Sequence, residues 1–287
     1  MIASASVASI ELARDLLESD VRYFEWGANV EDLDGASLAW MPGLQGMPAG
    51  CVVQLTDPIR IATRTPGGLD AWLGALERRL ERLGCPRLRL YLQIRDDTAE
   101  ETLACRGYAS RIERGMVYTA PPPAAPSGIA LHRIESEADW AAKAELHAAC
   151  PVGADGYAVS ATEWTILERR KAEAGTLEFF LLVMDGRVCG SIGFAPCTAI
   201  ARLKNVIVHP AYRRQHVASR GLQLLCRLAA DRGKRGLGAF VIVGEPHEDL
   251  YARCGFRPVT EQIEWVQSTE EAARPEDPAP EALPASL

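Results

Sequence analysis

One stretch constrains this chain more than any other: Val206-Ile-Val-His-Pro-Ala-Tyr-Arg-Arg-Gln-His-Val-Ala218. It reads as a strand, a tight basic turn and a helix start with nothing between them. Val206, Ile207 and Val208 are β-branched and suit a buried strand. Pro210 ends the strand because it has no N–H for the ladder. Arg213 and Arg214 occupy the turn. From Ala218 a helical period takes over, with Leu222, Leu225, Leu228 and Ala229 on one face. The free N–H groups and positive dipole end of that helix point at the turn and favour an anion there, such as a diphosphate.

These residues resemble motif A of the GCN5-related N-acetyltransferases (the GNAT family), V-x-V-x-P-x-x-(Q/R)-x-x-G-x-(G/A). Here Val206, Val208, Pro210, Arg213 and Ala218 match, and His216 stands where the family has Gly. The resemblance implies acyl-CoA, with acetyl-CoA as co-substrate. Val206, Ile207 and Val208 would bond the pantetheine arm. Arg213, Arg214, Gln215, His216, Val217, Ala218 and Ser219 would surround the pyrophosphate. Gly serves where backbone approaches a phosphate closely. A His there either crowds the pyrophosphate, supplies charge to it, or points to solvent from an ordinary helical φ/ψ; the last is the favoured reading.

A second element, Leu250-Tyr251-x-x-x-Gly255-Phe256, matches the family's closing L-Y-x-x-x-G-F in full. Gly255 suits the C′ end of a short helix. By resemblance Tyr251 is the general acid that protonates the departing CoA thiolate, the pKa of a phenol lying near that of a thiol. There are two departures from the family. Gly244 replaces an Asn, and Arg202 and Lys204 stand where a strand Glu often serves as base. Glu163, Glu168 and Glu178 are alternatives by location, although surface carboxylates are the commoner case.

The remaining C-terminal pattern follows the family's β-α-α-β-β-β-α-β-α-β order. It has a strand at 129–134, a helix capped by Ser136, a helix at 161–174, and a hairpin around Asp185-Gly186. Between the two helices, Asp155, Tyr157 and Trp164 are candidates for the acceptor wall. The N-terminal part reads as a worn copy of the same plan. Its landmarks are a helix at 69–83 ending at Gly84, a strand at 88–94, and a short helix ending at Gly107-Tyr108. Gly84 aligns with Gly233, and Gly107 with Gly255. On this register Leu103 stands opposite Tyr251, so the acid is absent from that copy. Arg64-Thr-Pro-Gly67 partly echoes the pyrophosphate turn, though a plain turn explains it equally.

The implied organisation is a tandem GNAT protein of α/β (α+β) class, each part a mixed, mostly antiparallel sheet flanked by helices. A degenerate copy spans 1–120, a Pro-rich linker 121–128, an acyltransferase domain 129–267, and a tail 268–287 whose Glu, Pro and Ala content predicts disorder. Across 287 residues the net charge is −7, which speaks against general nucleic-acid binding. No apolar run reaches the roughly 20 residues of a membrane span. The N-terminus lacks a signal peptide's basic and apolar regions. Eight scattered cysteines without zinc spacing fit reduced, mostly buried thiols in a cytoplasm.

The expected activity is acyl-CoA-dependent N-acetylation of a primary amine on a small-molecule acceptor, without metal, nucleic acid or membrane. The sequence leaves the oligomeric state open. A non-catalytic acyl-CoA-binding scaffold remains a different class of answer, as does transfer from a carrier-protein thioester or to a hydroxyl.

Overall fold

The computed structural model describes residues 7–85, 87–150, 160–175 and 177–267. The N-terminal half comprises α1 (Val7–Glu25), β1 (Asn29–Asp32), β2 (Ala36–Trp40), β3 (Cys51–Leu55), α2 (Pro58–Arg64), α3 (Gly68–Arg82), β4 (Arg89–Leu92), α4 (Asp97–Cys105) and β5 (Tyr108–Tyr118). The C-terminal half comprises β6 (Ala130–Arg133), α5 (Glu137–Ala149), α6 (Ala161–Ala174), β7 (Glu178–Met184), β8 (Arg187–Ala195), β9 (Ala201–Val208), α7 (Val217–Asp231), β10 (Leu237–Ile242), α8 (Pro246–Arg253) and β11 (Arg257–Gln267). From β6 to β11 this is the element order expected from the sequence.

Local chemistry explains many of the boundaries. Ser136 with Asp139, and Ser160 with Glu163, form reciprocal capping boxes that start α5 and α6. Asp185 and Gly186 both adopt positive φ, so β7 and β8 join through a two-residue hairpin turn. Gly84, Gly107, Gly233 and Gly255 each follow a helix end with positive φ. The landmarks that align the two halves in sequence therefore do the same work in both.

Among the described residues eleven strands form one sheet, in the order β1-β2-β3-β4-β11-β5-β10-β9-β8-β7-β6. The closing strands change places. β11, last in the chain, lies between β4 and β5 of the N-terminal half; β5 lies between β11 and β10. Their antiparallel register runs from Tyr108↔Gln267 to Val117↔Arg257, with a bulge at Pro258/Thr260. Each half thus completes its sheet with a strand of the other.

The alternation of side chains along β5 and β11 sorts the helices into two layers. Tyr108 and Met116 face the side covered by α3, α4, α7 and α8, where Leu73, Leu80 and Leu103 fill one end and Leu222, Leu225 and Tyr251 the other. Val117 faces the opposite side, against Leu16 of α1. There Tyr23 and Phe24 of α1 join Leu146 of α5 and Leu167 of α6 in a shared core. The layer between α1 and the sheet is polar: Asp20 of α1 and the strand residues Arg89, Arg202, Gln262 and Glu264 are all buried where the halves meet. No helix among the described residues is long and apolar enough to cross a membrane.

Candidate active site

β9 and β10 pair in parallel only at Ala201↔Leu237 and Arg202↔Gly238, then diverge. Beyond Leu203 the β10-facing edge of β9 is open, offering backbone groups to an extended ligand. On its other edge β9 is bulged. Lys204 pairs with Gly193 and Ile207 with Ser191, so Asn205 and Val206 together oppose Ile192. Asn205 takes φ 50°, the left-handed conformation that such a bulge uses. The corresponding strands of the N-terminal half pair at Val53↔Leu90, Gln54↔Tyr91 and Leu55↔Leu92, to the last residue of each strand. That half has no matching gap.

A cavity of about 170 Å³ opens where β9 and β10 separate. Leu203, Ala239 and Tyr251 line it from the α8 side, and Asp20, Tyr91, Glu113, Arg202 and Lys204 from the α1 side. It passes through the sheet, apolar on one side and charged on the other. Tyr251, the expected general acid, is buried and packs edge-on against Phe256 with centroids 5.4 Å apart. Burial pushes its phenol up to about 12, so it holds its proton throughout the neutral range. Leu103, its counterpart, is fully buried among apolar neighbours.

The charged side comes from both halves. Asp20 of α1 accepts from Arg202 Nη2 at 2.7 Å, Lys204 Nζ at 2.9 Å and Gln262 Nε2 at 2.9 Å. Burial alone would raise its carboxyl, but Lys204 and Arg202 more than offset this and hold it well below the usual carboxylate range. Gln262 Nε2 also donates to Glu113, at 2.9 Å. Burial, reinforced by Glu264 and Asp20, lifts Glu113 to about 7. Neither acid is marked in the sequence. Asp20 sits on a helix outside both motifs, and Glu113 reaches the cavity only because β5 crosses into the other half.

The earlier candidates for the base fall elsewhere. Glu163 is spent on its capping box with Ser160. Glu178 pairs with Arg232 and Arg133. Glu168 is no surface carboxylate: it is fully buried and bonded to Lys143 Nζ at 3.1 Å, His147 Nε2 at 2.8 Å and Asn205 Nδ2 at 2.6 Å. Its bond to Asn205 braces the bulge from behind. Trp164 stacks on His147, centroids 6.3 Å apart, while Asp155 and Tyr157 lie outside the described residues. Gly244 donates its N–H to Glu248 at 3.1 Å. Cys254 is raised by burial, as befits an inert thiol. Among the described residues no group of three acidic, His or Cys side chains could hold a metal ion.

The basic turn follows β9 through a 3-10 turn, Pro210–Tyr212, to His216, which is the N-cap of α7. Arg214 and His216 both have positive φ, at 63° and 60°, with Gln215 between them outside that region. Alternating φ signs turn successive N–H groups toward one side, an anion-binding concavity. Arg213, Arg214, Gln215 and His216 are exposed, whereas Val217 and Ile207 point into the core. Val206, Val208, Ala218 and Ser219 are half-buried, and the Ser219 hydroxyl donates to the His216 carbonyl at 3.0 Å. The expectation of ordinary helical geometry at His216 is therefore corrected. The side chain does face solvent, but from the left-handed conformation that favours Gly. In the N-terminal half Gly67 holds the same N-cap place, with φ 88°. His216→Gly should relieve the strain and stabilise the fold by roughly 0.5–1 kcal/mol, read as a higher melting temperature.

Residues 140–256 match the acetyltransferase (GNAT) family. The fold agrees. A GCN5-related N-acetyltransferase from Kribbella flavida superposes with a TM-score of 0.64 at 12% identity, over 94% of this chain and 99% of that one. One from Sphaerobacter thermophilus gives 0.56 at 19%, over 87% and 84%. A tandem GNAT protein from the clavulanic acid biosynthesis pathway gives 0.51 at 15%, over 80% and 77%. No curated protein matches the chain in sequence.

Proposed function

We propose that the C-terminal half, completed by β5 and α1, transfers an acetyl group from acetyl-CoA to the primary amine of a small molecule. The observation that carries this reading is the opening through the sheet at the β9–β10 divergence. It puts Tyr251 on one side and an ionisable carboxylate, Glu113, on the other. Acetyl-CoA supplies the activated acyl group. The open edge of β9 suits its pantetheine arm, and the alternating turn at 213–216, with two exposed arginines, suits its diphosphate.

Each residue then has a defined task. Glu113, ionised, takes a proton from the acceptor's ammonium so that the amine can attack. Backbone N–H groups on the open edge of β9 beyond Leu203 stabilise the charge that develops on the acyl oxygen. Tyr251, protonated, donates a hydrogen bond to the sulfur as it leaves. A phenol at about 12 is a weaker acid than the thiol it serves, so this bond, rather than complete proton transfer, is its contribution; as the C–S bond breaks, the proton shed by the attacking nitrogen passes to the sulfur, giving amide and CoA thiol. The N-terminal half supplies Asp20, Glu113 and a scaffold in place of a second site.

Calorimetric titration with acetyl-CoA tests the reading, with free CoA alongside. Micromolar binding, about −8 kcal/mol, is expected. Tyr251→Phe should lower turnover by about 10²-fold with little change in that affinity. Unchanged turnover would remove Tyr251 from the mechanism. Binding without any turnover would favour a scaffold that senses acyl-CoA.

A further inference from the structure

Arg202 is only 2% exposed, yet just one of its three guanidinium nitrogens meets an acceptor among the described residues. Nη2 donates to Asp20, while Nε and Nη1 have no acceptor among the described residues. The side chain lines the cavity, its guanidinium 4.7 Å from the centroid of the Phe240 ring. Buried donors on a charged group are costly to leave unmet, and the cavity that Arg202 lines is open space beside them. They point to an acceptor atom that arrives with a ligand.

The local charge says what kind. Arg202 and Lys204 together face one permanent carboxylate, Asp20. On the β11 side Glu264 is matched by both Arg89 and Arg111. Glu113 is the remaining acid, and it must exchange a proton to work as a base. With Glu113 ionised, the four cations Arg89, Arg111, Arg202 and Lys204 face three carboxylates, Asp20, Glu113 and Glu264, and the one charge in excess suits one carboxylate and is too little for a phosphate dianion. The apolar side, by contrast, offers nothing for a charged group.

We propose that the acceptor is a small amino acid, its carboxylate held by the free N–H groups of Arg202 and its amine directed to Glu113. This rests on the acetyltransferase reading and narrows it. Arg202 then explains the departure from the family pattern on β9: the position that often carries a base carries the specificity group, and the base comes from β5.

The test compares the common amino acids, each beside its carboxamide, by CoA thiol release from acetyl-CoA with the intact protein. The amide's amine loses its proton more easily, so a preference for the acid cannot come from nucleophile availability. At least one free acid should be acetylated with kcat/KM at least 10-fold above its amide. Arg202→Lys, which keeps a cation beside Asp20 but removes the second set of donors, should erase that ratio through KM. Equal or better use of amides overturns the proposal, as does acetyl-CoA binding with no amino acid accepted; both leave the acetyltransferase reading standing. Absence of acetyl-CoA binding overturns that reading and this one with it.

Discussion

Asp20→Ala should destabilise the fold by about 3–5 kcal/mol, lowering the thermal midpoint by roughly 10 °C. Asp20 is 1% exposed and takes hydrogen bonds from Arg202, Lys204 and Gln262. Its removal leaves a fully buried guanidinium and a largely buried ammonium without their counter-ion. The partners belong to different parts of the chain: Asp20 to α1, the two cations to β9, and Gln262 to β11. The loss therefore falls on the seam between the halves. A double variant, Asp20→Ala with Arg202→Met, should recover part of the deficit, because an absent pair costs less than a broken one. The carboxyl is depressed on folding, so its contribution is complete above the unfolded value of about 3.9 and is lost as pH falls below it. The wild type should therefore lose stability in acid more steeply than the variant. A shift under about 1 kcal/mol would show that water reaches the cluster and screens it.

The strength of that seam is also the reason why much of this molecule is not legible in its sequence. Motif A is legible because its signals are local: a β-branched strand, Pro210, a basic turn and an amphipathic helix within thirty residues. The Ser136 and Ser160 caps and the Asp185-Gly186 turn are legible for the same reason. The pairing of β5 with β11 joins residues about 150 positions apart, such as Arg111 and Glu264, and no local pattern encodes it. Helix α1 hides because its buried face carries Ser19 and Asp20 among apolar residues, which blurs the helical period. Asn205 lies within a β-rich run, yet its φ of 50° is what bends β9 at the site. Glu113, in Arg111-Ile-Glu-Arg114, looks like one charge on an exposed strand until β10 and β11 close around it.

That carboxylate gives the second large effect. Glu113→Gln should lower kcat/KM by about 10²–10⁴-fold at pH 8, with acetyl-CoA affinity retained. The wild-type kcat/KM should rise with pH through about 7, as Glu113 loses its proton; the variant should lack this limb. The groups facing Glu113 account for its position. Burial raises it most, Glu264 of β11 and Asp20 of α1 raise it further, and Gln262 of β11 and Lys204 of β9 act in the opposite sense. Lys204→Met should therefore move the limb to higher pH, a change that a purely structural Glu113 would not transmit to the rate. The stability linkage has the opposite sense to that of Asp20. The raised carboxyl stabilises the fold fully below its unfolded value of about 4.3, and this contribution is lost as pH rises through about 7. Activity and stability should then change in opposite directions across neutrality in the wild type. In Glu113→Gln the melting temperature should decline less over the same range. A pH limb that survives in Glu113→Gln would assign the base to another group and leave Glu113 as part of the seam alone.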